Sequence, residues 1–202
     1  MLKNLTQHPP DEMTDLGAKL RHRRKALGLT LEAVAKEAGV TTGFISQVER
    51  NITSPSLASL TAMADALGAH IADFFDPPPK PKETSRAKMR EIYSSPGGGF
   101  DFERLSTSFD GSTLNGLMVH HPSGFVIEEM VHEGEEFYYV IKGALTITVD
   151  GKRTVVGVGD SIHFSSMRPH SVHNETNETV TVLVVNTMDL FGDDREEGTK
   201  DG

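Results

Sequence analysis

Four prolines within five residues, Pro77, Pro78, Pro79 and Pro81, divide this chain into two parts that fold by different rules. Proline lacks a backbone N–H and locks φ, so neither a helix nor a central strand can cross such a block. Before it, apolar residues recur at helical spacing. After it, short runs rich in Val, Ile, Phe, Tyr and Thr are separated by Gly, Pro, Asp and Asn. The first pattern predicts a helical bundle and the second an all-β sandwich or barrel. The block itself, DPPPKPKE, predicts a semi-rigid extended spacer. The expected plan is a disordered leader over 1–12, a helical domain over 13–75, a linker and entry segment over 76–99, a β domain over 100–187 and an acidic tail over 188–202.

The helical half is organised around TLEAVAKEAGVTTGFISQVER, residues 30–50. Leu31, Val34, Ala35 and Ala38 form one apolar helical face. Gly39 falls where the chain must reverse, Thr30 suits the cap of the first helix, and Thr41 or Thr42 suits that of the second. Ile45 and Val48 are the apolar pair that packs inward. Thr42, Gly43, Ser46, Gln47 and Arg50 share the opposite face and suit base edges and phosphates. A first helix over 14–26 places Leu16 and Leu20 inside, with Leu27 closing the set. A fourth carries the stripe Leu57, Leu60, Ala64, Leu67, and a short fifth over 71–75 offers Ile71, Phe74 and Phe75.

These residues resemble the lambda-repressor-like (XRE) helix-turn-helix regulators: a small residue at Ala35, glycine at Gly39, aliphatics at Ile45 and Val48, then ISQVERNITSPSLASLTAMADALG like that family's third and fourth helices. The resemblance implies a five-helix bundle that binds an operator in double-stranded DNA, with Gln47 placed to contact bases. It also implies a homodimer, because one reading helix covers few base pairs.

The net charge of −9 suits DNA binding only once it is divided: zero over 1–80, +2 over 81–99 and −11 over 100–202. Within the first part Lys19, Arg21, Arg23, Arg24 and Lys25 crowd the first helix, and phosphate contact needs only a local patch. Arg23 and Arg24 are the expected phosphate ligands. The chain contains no cysteine, which excludes disulfides, cysteine zinc sites and a cysteine nucleophile and is compatible with a reducing cytoplasm. Neither a membrane span nor a secretory signal is visible. Phosphate-binding glycine loops and serine-hydrolase elbows are also missing.

The β half resembles the cupins. Gly124, His132, Glu136 and Gly143 keep the intervals of that family's first motif, with Met130 where its first histidine stands. Gly159, His170 and Asn174 match the second, with Ser165 and Met167 replacing its proline and glycine. The resemblance implies a double-stranded β-barrel, or jelly roll, with His132, Glu136 and His170 facing inward. Such a trio is a possible site for a divalent metal (Fe, Mn, Ni, Cu or Zn). It equally suits an organic effector, with Tyr138 a candidate for the lining; no cofactor is required. An inward acidic group would favour an amine or polyamine, and the resemblance also allows amino acids and related metabolites. Glu128, Glu129, Glu133 and Glu135 read as a solvated face and His120-His121 as a turn pair. Two functions follow: a transcriptional regulator with a small-molecule sensor, or a helix-turn-helix–cupin enzyme resembling a mononuclear non-heme iron epoxidase, with Fe(II) held by the same three residues.

Overall fold

The computed structural model describes residues 16–74, 81–95, 99–188 and 190–191. The expected leader, the triple proline, Phe75 and the end of the tail lie outside them.

The first domain has four α-helices: α1 Leu16–Ala26, α2 Leu31–Glu37, α3 Thr42–Glu49 and α4 Leu57–Ala66. Each of the last three begins on a hydroxyl cap. Thr30 accepts from the Ala33 N–H, Thr41 from Phe44 and Ser56 from Ser59, satisfying donors that a helix start leaves unpaired. Gly39 turns α2 into α3 at φ +65°, a backbone state costly for side-chain-bearing residues. Most expected apolar positions are buried, among them Leu16, Leu20, Val34, Ile45, Val48, Leu57, Leu60, Ala64 and Leu67, while Leu31 is half-buried. Two expectations need correction. The fifth helix is a single 3-10 turn, Ile71–Asp73, too short to add an α-helical face, although Ile71 and Phe74 are buried. Leu27 is 45% exposed, because α1 ends at Ala26 and the chain then turns outward.

The second domain is two antiparallel sheets. One has the order β1 (Tyr93–Ser94), β2 (Asp101–Arg104), β3 (Asn115–His121), β10 (Val180–Asn186), β5 (Glu135–Lys142) and β8 (Ser161–Ser165). The other has the order β4 (Val126–Met130), β9 (His170–His173), β6 (Ala144–Val149) and β7 (Lys152–Gly157). Non-sequential neighbours in both sheets give the expected jelly roll. The Asp150-Gly151 turn has φ of +49° and +72°, so β6 and β7 form the two-residue hairpin that the dipeptide predicts. Burial alternates strictly along β10, with Val180, Val182 and Val184 facing in. Buried apolar residues from both domains form one cluster.

Arg23 and Arg24 make contacts within the bundle. Arg24 Nε donates to Glu49 Oε1 at 2.5 Å and Nη2 to Oε2 at 2.8 Å, while Nη1 donates to the Leu29 carbonyl. Arg23 donates to the carbonyls of Leu67 and Gly68 at the end of α4. Both guanidiniums tie helices together; Arg24 is largely buried, and Arg23 stays exposed. Replacing Glu49 by Ala should therefore destabilise the protein by roughly 3 kcal/mol, because it strands a largely buried cation. The double change Arg24→Met with Glu49→Leu should recover most of that loss in urea unfolding.

Candidate functional site

Two surfaces carry chemistry. The first is the outer face of α3. Helical spacing turns Phe44, Ile45 and Val48 into the bundle and leaves Gly43, Gln47 and Arg50 exposed, with Thr42 and Ser46 half-buried. Thr30 and Thr41 are exposed cap residues at the two helix starts nearby. Arg50 lies along its own helix, donating to the Ser46 carbonyl. Arg21 and Lys25 are exposed on α1, so positive charge remains on this domain although Arg23 and Arg24 are engaged.

The second is the barrel interior. Glu136 on β5 is 4% exposed, His170 on β9 is 2% and His132, after β4, is 9%. Their ligand atoms lie within 4.8 Å of one another. His132 Nε2 is 3.4 Å from Glu136 Oε1, and His170 Nε2 is 3.7 Å from Oε2. Each imidazole uses its other nitrogen on a backbone carbonyl: His132 Nδ1 meets Glu133 O at 2.9 Å and His170 Nδ1 meets Arg168 O at 2.8 Å. A carbonyl only accepts, so Nδ1 must carry the proton. In the neutral rings both Nε2 lone pairs then converge on a carboxylate, an arrangement completed by a cation. Tyr138 donates to Glu136 Oε2 at 2.9 Å, so the expected lining tyrosine sits with the trio. Burial alone would raise the Glu136 carboxyl; His132 and His170 in their protonated forms, together with the Tyr138 hydroxyl, outweigh it and lower the group. Burial lowers the His170 pKa, against the pull of Glu136, and favours the neutral ring.

The donors fit a metal: two imidazole nitrogens and one carboxylate, each imidazole oriented by a second hydrogen bond, as metal-ligating histidines are. Met130 occupies the place of a fourth donor. Its sulfur instead accepts a hydrogen bond from Ser59 of α4 at 3.5 Å. Asn174 is a loop clamp, donating to the His121, Pro122 and Glu178 carbonyls.

One functional candidate was missed in the sequence. His120 and His121 end strand β3 and do not form a turn, so alternation sends them to opposite faces. His120 meets Glu103 outside, at 3.2 Å. His121 faces the cavity, 2% exposed and stacked on Phe125 at 4.8 Å, with neither ring nitrogen hydrogen-bonded among the described residues. Strand parity was the available signal. His163 is exposed and pairs with Glu135, and Glu128, Glu129 and Glu133 are exposed as expected.

A reading-helix bundle joined to a cupin barrel defines a two-domain helix-turn-helix protein. The helix-turn-helix family matches residues 20–74 and the cupin domain family residues 116–186. PuuR, a helix-turn-helix-type transcriptional regulator of Escherichia coli, is 25% identical over 183 residues, 90% of this chain and 99% of its own length. A helix-turn-helix-type transcriptional regulator of Methanothermobacter thermautotrophicus is 46% identical over 57 residues, 28% of this chain and 83% of its own. The crystal structure of a Vibrio cholerae regulator of the same helix-turn-helix family shares the fold with a TM-score of 0.54, at 22% identity over 88% of this chain and 97% of its own. The chain belongs to the XRE-type helix-turn-helix family and is a DNA-binding transcriptional regulator with a cupin domain.

Burial holds the His121 pKa down at about 3, against an ordinary 6.5, with His120 adding to the shift. The unfolded chain therefore binds a proton between these values that the folded chain refuses. The stability that His121 contributes is complete above pH 6.5 and is lost as pH falls toward about 3. Relative to His121→Phe, the wild type should lose up to about 1.4 kcal/mol per pH unit in that window. Parallel stability curves in urea unfolding would show that the ring is hydrated.

Proposed function

We propose that α3 reads an operator through Thr42, Gly43, Ser46, Gln47 and Arg50, and that the barrel binds a cationic small molecule that alters this binding. The observation that carries the reading is the division of the chain between an exposed polar helix face and a buried hollow where two imidazoles meet one carboxylate. Thr30 and Thr41 lie at the rim where phosphates would pass, with Arg21 and Lys25 supplying charge. Glu136, His132, His170 and Tyr138 hold the ammonium of an amine, polyamine, amino acid or related metabolite. The protein acts in the cytoplasm as a homodimer. Tyr139 and Ile141, 40% and 43% exposed on the outer face of β5, give the pairing an apolar surface. Among the described residues no helix is long and apolar enough to cross a membrane.

The same trio supports a second reading, because two imidazoles and one carboxylate form a facial set for Fe, Zn, Mn or Ni. Bound Fe(II) would supply oxygen chemistry, with His132, Glu136 and His170 holding it. Iron analysis of the purified protein together with oxygen uptake separates the readings. Stoichiometric iron with turnover favours an enzyme; a metal-free protein that binds its own promoter favours the regulator.

For the DNA interface, Gln47→Ala should weaken specific binding to promoter DNA by roughly 1–3 kcal/mol in fluorescence anisotropy, with the salt dependence unchanged. Unchanged affinity would remove Gln47 from the interface. His170→Ala should abolish the effector response and preserve basal DNA binding; simultaneous loss of both would make His170 structural.

A further inference from the structure

The cavity that holds Glu136 and His170 is not closed by the barrel alone. Its lining includes Ser56, Leu57 and Ala58, the cap and first turn of α4 in the DNA-binding domain. Leu57 is 4% exposed. Next to this turn Ser59 donates to Met130 at the barrel rim, at 3.5 Å. The α2–α3 turn also approaches the barrel: a Cβ on Gly39 would lie 2.5 Å from the Val131 carbonyl oxygen. On a third side, a Cβ on Gly99 would lie 2.7 Å from Ser54 Cβ. The DNA-binding domain is thus seated on the barrel at several points, and its α4 turn faces the ligand space.

We infer that the effector site is an interdomain site, completed by the first turn of α4, and that the size of the ligand decides whether the DNA-binding domain stays seated. This rests on the reading of the hollow as a cation site. The free volume is about 50 Å³. At roughly 10–15 Å³ per water-sized occupant, it admits a ligand of about three to five non-hydrogen atoms. A compact cation fits beneath the seated domain, its charged head at Glu136 and its apolar remainder against Leu57. A longer one presses on the first turn of α4 and favours lifting it from the rim. The effect on DNA then needs no transmission through the proline linker, because the ligand and the reading domain share a wall. By linkage, DNA that favours the unseated domain favours the longer ligand by the same factor.

The test uses the full chain, whose lack of cysteine makes Leu57→Cys the only thiol. Iodoacetamide should alkylate it at least about tenfold more slowly than Ile52→Cys, a 61% exposed position in the same domain. Adding Met130→Trp, which drives a larger ring against Ser59 in place of a side chain that is 1% exposed, should remove the protection; Met130→Ala replaces it if that variant does not fold. A Leu57→Cys thiol as reactive as that at residue 52, or one still protected after the rim is altered, would overturn the shared wall. Ethylamine should leave the thiol protected and n-octylamine should expose it. Octylamine that binds, by thermal shift, without exposing the thiol would overturn the size rule. If neither amine binds, the cation reading of the hollow falls, while the rim variants still decide the wall.

Discussion

An anionic carboxylate at 4% exposure, faced by two imidazole nitrogens that are acceptors in their neutral form, is the constraint around which the barrel is arranged. Burying a charge without a counter-charge is costly, and one hydroxyl donor from Tyr138 does not neutralise it. The fold nonetheless keeps Glu136 on β5, His170 on β9 and His132 after β4 directed at one point. Backbone carbonyls set both imidazole tautomers, so the polarity of the hollow is built into the main chain. Replacing the trio with apolar residues would make a simpler core. Unless a cation completes it, as proposed above, the trio costs the barrel stability.

The helical domain obeys a different economy. Its bundle is small, and its charged residues help to close it. Arg23 joins α1 to the end of α4, and Arg24 joins α1 to α3 and to the α1–α2 turn. Fixing α1 against α3 in this way holds the reading helix at a set angle while its outer residues stay solvated. The bundle's other face, around the first turn of α4, is not solvated but rests on the barrel. One domain therefore has one solvated face and one face seated on the barrel.

Much of the fold was legible in the sequence. Proline chemistry marked the division, hydroxyl caps at Thr30, Thr41 and Ser56 marked the helix starts, and Asp150-Gly151 marked a hairpin. His132, Glu136 and His170 were identifiable from the resemblance to the cupin motifs; alternation turns Glu136 and His170 inward on β5 and β9, whereas His132 lies in the loop after β4. Other features were not legible because they depend on contacts distant in the chain. A basic run on α1 looks the same whether its guanidiniums meet phosphate or Glu49 and the α4 carbonyls. Leu57 read as bundle core, since nothing local shows that the barrel lies beyond it. His121 was recoverable, because its parity on β3 opposes that of His120, but placing the strand end one residue early turned both into a turn.

Thermal unfolding of the full chain titrated with zinc chloride, compared with Glu136→Gln, tests the central claim most directly. The substitution keeps size and hydrogen bonding while removing the charge. A cation-completed hollow predicts that zinc raises the wild-type Tm in a saturable way and leaves Glu136→Gln unmoved, and that Glu136→Gln without zinc is at least as stable as the wild type. Equal shifts in the two proteins, or a Glu136→Gln protein less stable than the wild type without zinc, would contradict it.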